Sequence, residues 1–380
     1  VASAPAAGIP WFGVRVALVV ERFEPGGGGV ENAVWQVARA LVAAGDEVHV
    51  VARRGASAPE VRLHPVPVPT FWQPLRVLAF AARAGRAVEA GRYDVVHSFT
   101  RTLRQDVIHT GGGSHADFMR HTYGRTGALL RRGSPRHAVQ LALERRMFAD
   151  PKALVQCVSQ MVKRELVARF GVDEARLFVV PNGVDPCRFH PERGAAERDA
   201  LRASLGANGT TWLLAGSNWR RKGLDTALRA LARTADRGAQ LWVAGGDAPA
   251  PWRRLTARLG LAERVRFLGV RHDLERVYAA ADGLLLPTRY DAFGLVCLEA
   301  AACARPVVTS TTAGAAELLG DAAVAVADPE DAAGFARALD RLSDPGLRQR
   351  LGAEGRRVAE AHTWQRCVEQ LRALYARVRR

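Results

Sequence analysis

A chain of 380 residues is too long for one ordinary core and fits two domains of roughly 150–200 residues each. Its apolar fraction of 48% and charged fraction of 24% are ordinary for a globular protein, and no apolar run approaches the ~18–20 residues of a membrane-spanning helix. The net charge of +16 rests almost wholly on arginine, since Lys152, Lys163 and Lys222 are the only lysines. Zinc-finger spacing, a basic zipper and aromatic RNA-binding signatures are absent, so nucleic acid is not an expected partner. Two readings of the charge stay open: a compositional preference for arginine, and attraction to an anionic inner-membrane surface or a phosphorylated acceptor. Cys157, Cys187, Cys297, Cys303 and Cys367 are odd in number and contain no C-x-x-C pair. That speaks against a disulfide framework or structural zinc and for a cytoplasmic setting. The Ala/Pro-rich stretch 1–13 lacks the charged and apolar regions of a secretory leader.

Taken in chain order, short β-branched runs alternate with longer amphipathic stretches, the pattern of βαβ units and parallel sheets. Residues 14–20 predict a strand, Gly26 to Gly29 a turn, and 30–44 a helix. Residues 47–52, 95–99, 106–110 and 153–159 predict further strands, and 161–170 a helix closed by Gly171. From Gly111 to Arg136 the pattern weakens. Arg120, His121, Arg125, Arg131, Arg132 and Arg136 are interleaved there with Phe118, Met119, Tyr123, Leu129 and Leu130. This could be a flap over an anionic, amphipathic acceptor or an ordinary solvated loop and helix.

The prolines and Asn-Gly of 179–191 break the rhythm and place an interdomain linker there. A second series follows, with strands at 212–217, 240–245, 265–269, 283–287 and 307–310 and a helix from Leu224. The expected fold class is therefore α/β, with two Rossmann-like doubly wound parallel-sheet domains facing a cleft at their strand C-termini. Residues 364–380 predict a last helix of basic character.

Two segments carry chemistry. In Gly216-Ser-Asn-Trp-Arg-Arg-Lys-Gly223, small polar residues turn the chain after a strand and place Arg221 and Lys222 just before a helix. A guanidinium fork beside a point-charge ammonium suits a diphosphate that gains charge as it leaves, with Ser217 beside it. A solvated basic turn would have the same composition. In Tyr290-Asp-Ala-Phe-Gly-Leu-Val-Cys-Leu-Glu299, Asp291 precedes a helix and Glu299 lies about two turns inside it. Gly294 lets the backbone approach a ligand beside Phe293, and the N–H groups of Leu295 and Val296 are placed to bind phosphate oxygens. Glu299 would accept hydrogen bonds from ribose hydroxyls while Asp291 faces the sugar. First-turn acids also suit a helix dipole with no ligand at all.

The carboxylate-x7-carboxylate segment, followed by Ala300-Ala-Ala-Cys-Ala-Arg-Pro-Val-Val308, resembles the retaining glycosyltransferases of family 4, which have the GT-B fold. The resemblance extends to Gly28-Gly-Val-Glu31, Val158-Ser-Gln-Met-Val-Lys-Arg-Glu165, Pro181-Asn-Gly-Val-Asp185, Arg221-Lys222-Gly223 and Gly269 at a strand end. Within the family, 216–223 and the Asp106-Val-Ile-His109 to His115 stretch look most like lipopolysaccharide core glucosyltransferases. Three positions depart from the pattern. Asp291 stands where the family has glutamate, Ala304 where it has glycine, and Gly111-Gly-Gly113 where the lipopolysaccharide enzymes often carry an acid.

The resemblance implies residues 1–180 as an acceptor domain, with helix 363–380 packing back on it, and 181–362 as a nucleotide-sugar donor domain. It implies retaining transfer of a hexose, with glucose from a UDP-sugar the first expectation, to a lipopolysaccharide-core, other glycan or glycolipid hydroxyl. Neither enzymic nucleophile nor divalent metal is expected, since Arg221 and Lys222 can hold the diphosphate and no Asp-x-Asp pair occurs. Gly28 and Gly29 resemble the loop under the donor sugar, and His109 or its competitor His115 would touch sugar or acceptor, with Arg120 a further acceptor contact. Other classes weighed are a GT-B epimerase or phosphorylase, a transferase acting on a small-molecule acceptor, and a non-catalytic basic binding protein.

Overall fold

The computed structural model describes residues 13–379 apart from residue 194. The stretch read as carrying no leader lies outside the described residues except at Gly13, and so does the side chain of Arg125. Among the described residues, thirteen strands form two sheets in which every adjacent pair is parallel.

The first sheet comprises β1 (Arg15–Phe23), β2 (Glu47–Gly55), β3 (Val61–Pro65), β4 (Val95–Ser98), β5 (Val107–His109), β6 (Leu154–Cys157) and β7 (Leu177–Val179), in the order β3-β2-β1-β4-β5-β6-β7. The second comprises β8 (Thr211–Ala215), β9 (Gln240–Ala244), β10 (Val265–Gly269), β11 (Gly283–Leu286), β12 (Val307–Ser310) and β13 (Ala323–Val326), in the order β10-β9-β8-β11-β12-β13. Central strands such as β4, β8, β9 and β11 are buried along their whole length, as a sheet covered on both faces requires. In each sheet the strand order reverses beside its first strand, at β1/β4 and β8/β11. Those are the crevices where open α/β sheets bind ligands.

The observed strands coincide with the expected ones in both sheet centres. Three edge strands, β3, β7 and β13, had no counterpart in the sequence reading. β7 enters the segment read as linker: the chain stays in the first sheet until Val179 before Pro181 turns it away. The region of weak pattern is largely helical. Helix His115–Arg131 is broken at Gly124 (φ +71) and is followed by helix Pro135–Ala149. The kink resets the apolar period, which is why the sequence shows no continuous helical face there.

Helix Trp364–Tyr375 buries Trp364, Cys367, Val368, Leu371, Leu374 and Tyr375 in one cluster with Val16, Leu18, Val34 and Val48 of the first sheet and its leading helix. Tyr375 Oη lies 2.7 Å from His97 Nδ1, and Thr363 caps the helix by accepting from Arg366 N. The last helix thus crosses back to the sheet on which the chain began; its Arg366 is exposed, whereas Arg372 reaches the first domain and donates to Ala44 O at 3.1 Å.

Candidate functional site

The ends of β8 and β11 form one knot of backbone. Arg221 O accepts from Arg289 N (2.8 Å) and from Thr288 Oγ1 (3.2 Å). Trp219 is buried beneath the turn. Gly223 takes φ +75, and a Cβ there would stand 1.8 Å from Pro287 O. This close approach brings the basic turn against Asp291. Lys222 is buried, and its Nζ pairs with Asp291 Oδ2. Arg221 Nη1 donates to Tyr290 O at 2.6 Å and lies 3.9 Å from the same carboxylate oxygen. Burial pushes the Asp291 carboxyl up, but the Lys222 and Arg221 charges outweigh it and hold the group below its ordinary value. Asp291 is therefore an anion held between two cations, and Arg221 Nε is left without a partner.

Gly294 caps helix Leu295–Ala302 at φ +91, a conformation in which a side chain would be strained although its Cβ would meet Asp291 only at an ordinary contact distance of 3.7 Å. The first-turn N–H groups of Leu295 and Val296 have no acceptor within the helix and open onto the same space. Phe293 is buried beneath them. Glu299 sits on the cleft wall, where Tyr278 Oη donates to its Oε2 at 3.1 Å and to Val296 O at 3.2 Å. Burial raises the Glu299 carboxyl above its usual range, against the opposing Tyr278 bond.

Across the cleft stands the loop after β1. Gly28, Gly29, Ser217, Arg221, Lys222, Asp291, Phe293, Gly294, Leu295, Val296 and Glu299 all line a single space of about 830 Å³, together with His109. A Cβ on Gly29 would meet nothing, so the loop is open there, whereas one on Gly28 would press on Glu31 Oε2 at 2.7 Å.

His109 Nδ1 lies 2.8 Å from Gln156 Oε1, while Gln156 Nε2 donates to Val180 O. Nδ1 therefore carries the proton, and Nε2, buried without a partner, is an acceptor at the cleft. Burial holds the ring down to about 4 despite the Gln156 bond. An unfolded histidine takes its proton below about 6.5, so the fold loses stability as pH falls from there toward 4. Wild type should lose about 3 kcal/mol relative to His109→Gln across that window, read by urea unfolding at pH 7 and pH 4.5. Equal losses in both proteins would refute the assignment.

Two expected acceptor contacts are not brought to the cleft. His115 is buried behind it, its Nε2 2.9 Å from His137 Nδ1 and its backbone N–H donating to Glu144. Burial, with the nearby Arg101 charge, pushes its ring down to about 3. Arg120 is exposed and does not line the cleft, while Phe118 of the same helix does.

Several lining residues had no site role in the sequence reading. Asn182, read as part of a linker turn, is buried with an unpartnered Oδ1. Arg188 is held by Glu275 Oε2 at 3.0 and 3.1 Å. Tyr290 crosses between the sheets: its Oη donates to Glu165 at 2.7 Å, the His121 ring stacks on it at 5.1 Å, and Gly113 leaves room for it. Burial pushes Glu165 up to about 7 against the Tyr290 bond. A Tyr–Glu pair separated by 125 positions leaves no local spacing to find. Among the described residues, no group of three or more His, Cys, Asp or Glu is placed to hold a metal ion.

A cleft between two parallel-sheet domains, with paired cations and a helix N-terminus on one wall and a glycine loop on the other, defines a GT-B transferase architecture. The model for glycosyltransferase family 4 matches residues 27–188 and that for glycosyl transferases group 1 matches residues 209–344. The chain belongs to this glycosyltransferase family. It is 31% identical to a D-inositol 3-phosphate glycosyltransferase of Acidothermus cellulolyticus, covering 98% of this chain and 92% of the relative. It is likewise 31% identical to one of Mycobacterium marinum, over 96% and 85%. Among solved structures it resembles WaaG, a glycosyltransferase involved in lipopolysaccharide biosynthesis (TM-score 0.83, 24% identity, 95% and 99% coverage). It also resembles Anabaena Alr3699/HepE in complex with UDP-glucose (TM-score 0.72, 18% identity, 96% and 99%).

Ala304, where the family pattern has glycine, sits at φ +53. The family's glycine thus answers to backbone conformation, and alanine here accepts a strained one. No described helix is long and apolar enough to cross a membrane.

Proposed function

We propose that the protein is a retaining hexosyltransferase that uses a nucleoside diphosphate sugar, with UDP-glucose the first donor to test, and works without a divalent metal. The observation that carries this reading is the set of Arg221, Lys222 and the free first-turn N–H groups of Leu295 and Val296 around one space facing Gly28–Gly29. Two cations and a helix N-terminus together match a diphosphate's charge and its rise on leaving. In the proposed step an acceptor hydroxyl attacks the anomeric carbon on the face from which the diphosphate departs. The carbon–oxygen bond to phosphate breaks, the new glycosidic bond forms, and the hydroxyl proton passes to a leaving phosphate oxygen. Lys222 exchanges its Asp291 partner for that phosphate, freeing the Asp291 carboxylate for the sugar hydroxyls. His109 Nε2 accepts from a donor-sugar hydroxyl.

The second domain serves as donor domain and the first as acceptor domain. The acceptor is a hydroxylated small molecule or glycan. The relatives named for D-inositol 3-phosphate favour the small polyol, and the lipopolysaccharide core stands as the alternative that the fold likeness suggests.

Release of nucleoside diphosphate from UDP-glucose and other nucleotide sugars, with and without a polyol or glycan acceptor, tests the proposal. A protein that neither binds nor turns over any nucleotide sugar would sink it. Glu299→Ala should raise the donor KM about tenfold with a smaller effect on kcat, because ribose contacts are made in ground and transition states alike. An unchanged KM would contradict the ribose role.

The exposed Phe71 (84%), Trp72 (52%), Leu129 (63%) and Leu130 (82%) on an arginine-rich chain support a contact with anionic membrane. Sedimentation with phosphatidylglycerol vesicles, but not phosphatidylcholine vesicles, is the expected result, and no sedimentation with either would refute it.

A further inference from the structure

Beside the cleft, across Val30 and Glu31, a second recess of about 440 Å³ opens at the C-terminal ends of β1, β2 and β4. Its polar lining comes from Glu21, Arg22, Glu31, Arg53, Arg76 and Thr100, with Phe99 among the apolar residues beside them. Arg22 is accounted for by Glu31, whose Oε1 lies 2.8 Å from its Nη2. Arg53 and Arg76 then face one carboxylate between them. Their Nε atoms stand 3.9 and 3.4 Å from Glu21 Oε2. Both atoms are shielded from solvent, and neither makes a hydrogen bond.

A shielded charged donor without an acceptor is costly, and two converging at the strand ends of a binding domain form half of a binding site. A guanidinium fork presents parallel N–H groups at the spacing of phosphate oxygens, so a pair of them suits a dianionic phosphate better than a hydroxyl or a carboxylate. The recess is also within reach of the transfer point. It shares Val30 and Glu31 with the donor cleft, and the Phe99 ring lies 4.3 Å from that of His109.

We infer that Arg53 and Arg76 bind the phosphate monoester of a polyol acceptor and so hold its free hydroxyl at the donor cleft. This rests on the transferase reading above and adds the acceptor's charge and the residues that read it. The phosphate belongs either to a soluble polyol phosphate or to the ring monoester of a phosphorylated inositol-lipid headgroup, and the two present the same group to the recess.

The test is calorimetric titration of the UDP-saturated protein with a myo-inositol monophosphate, with unphosphorylated myo-inositol, and with vesicles of phosphatidylinositol 4-phosphate or of phosphatidylinositol. A phosphorylated probe should bind at least about tenfold more tightly than its unphosphorylated counterpart. Arg53→Gln and Arg76→Gln should each remove most of that preference while leaving UDP affinity and cooperative unfolding in place. Preference for the soluble monophosphate identifies a free polyol phosphate, preference for phosphatidylinositol 4-phosphate over phosphatidylinositol vesicles a lipid headgroup, and both uphold the site. Equal binding with and without phosphate, or a preference that survives both substitutions, overturns it. Failure to bind UDP or any other nucleotide would instead strike the transferase reading, so the two failures are told apart.

Discussion

Lys222→Ala should lower turnover by about 10³-fold and weaken UDP binding about tenfold. The lysine is buried, so its charge acts where water cannot replace it, and its present partner Asp291 is held below its ordinary value chiefly by that charge acting against burial. Removing the ammonium takes away the point charge opposite the leaving phosphate and leaves Asp291 facing only Arg221, 3.9 Å away. Binding suffers less than turnover because Arg221 and the helix N–H groups still meet the ground-state diphosphate, whereas the charge that grows in the transition state loses its buried partner. Nucleoside diphosphate release and calorimetry on the variant measure both effects. Wild-type turnover in Lys222→Ala would remove the lysine from the mechanism.

Gly223→Ala should destabilise the fold by about 3 kcal/mol or more. Gly223 lies at φ +75, and the new methyl carbon would sit 1.8 Å from Pro287 O and 3.1 Å from Pro287 Cβ. Both obstacles are main chain or ring, so no side chain can swing aside. Relief requires the 216–223 turn to part from β11, and that contact is what sets Lys222 against Asp291. The urea midpoint should fall, and turnover should fall further than the lost stability accounts for. An unchanged midpoint would mean that the turn does not pack as described.

The same contact explains which parts of the site were legible in the sequence. Lys222, Asp291, Gly294 and Glu299 lie on short segments whose residue types and spacing state their chemistry, and the strands that carry them are central and apolar. Edge strands were not legible. β3 reads Val-Arg-Leu-His-Pro with exposed alternate positions, β7 is three residues before a proline, and β13 is Ala-Val-Ala-Val. Each is short or half-solvated, as edges tend to be, and none shows the buried run that marks a sheet centre. His109 and His115 look equivalent in sequence, each a histidine near a strand end. What separates them is a distant neighbour: Gln156 turns one ring's free nitrogen to the cleft, whereas His137 and Glu144 occupy the other residue. Arg53 and Arg76 belong to different elements and meet only through Glu21, so their pairing too is a product of the fold.

In the proposed mechanism the cleft between the two sheets grips a nucleotide through its diphosphate at Arg221 and Lys222. Calorimetric titration with UDP, GDP and ADP, each against its own nucleoside, tests it most directly. At least one diphosphate should bind about 100-fold more tightly than its nucleoside, and Lys222→Ala should remove much of the difference. Equal affinity for diphosphate and nucleoside across the panel, or a preference untouched by the substitution, would contradict it.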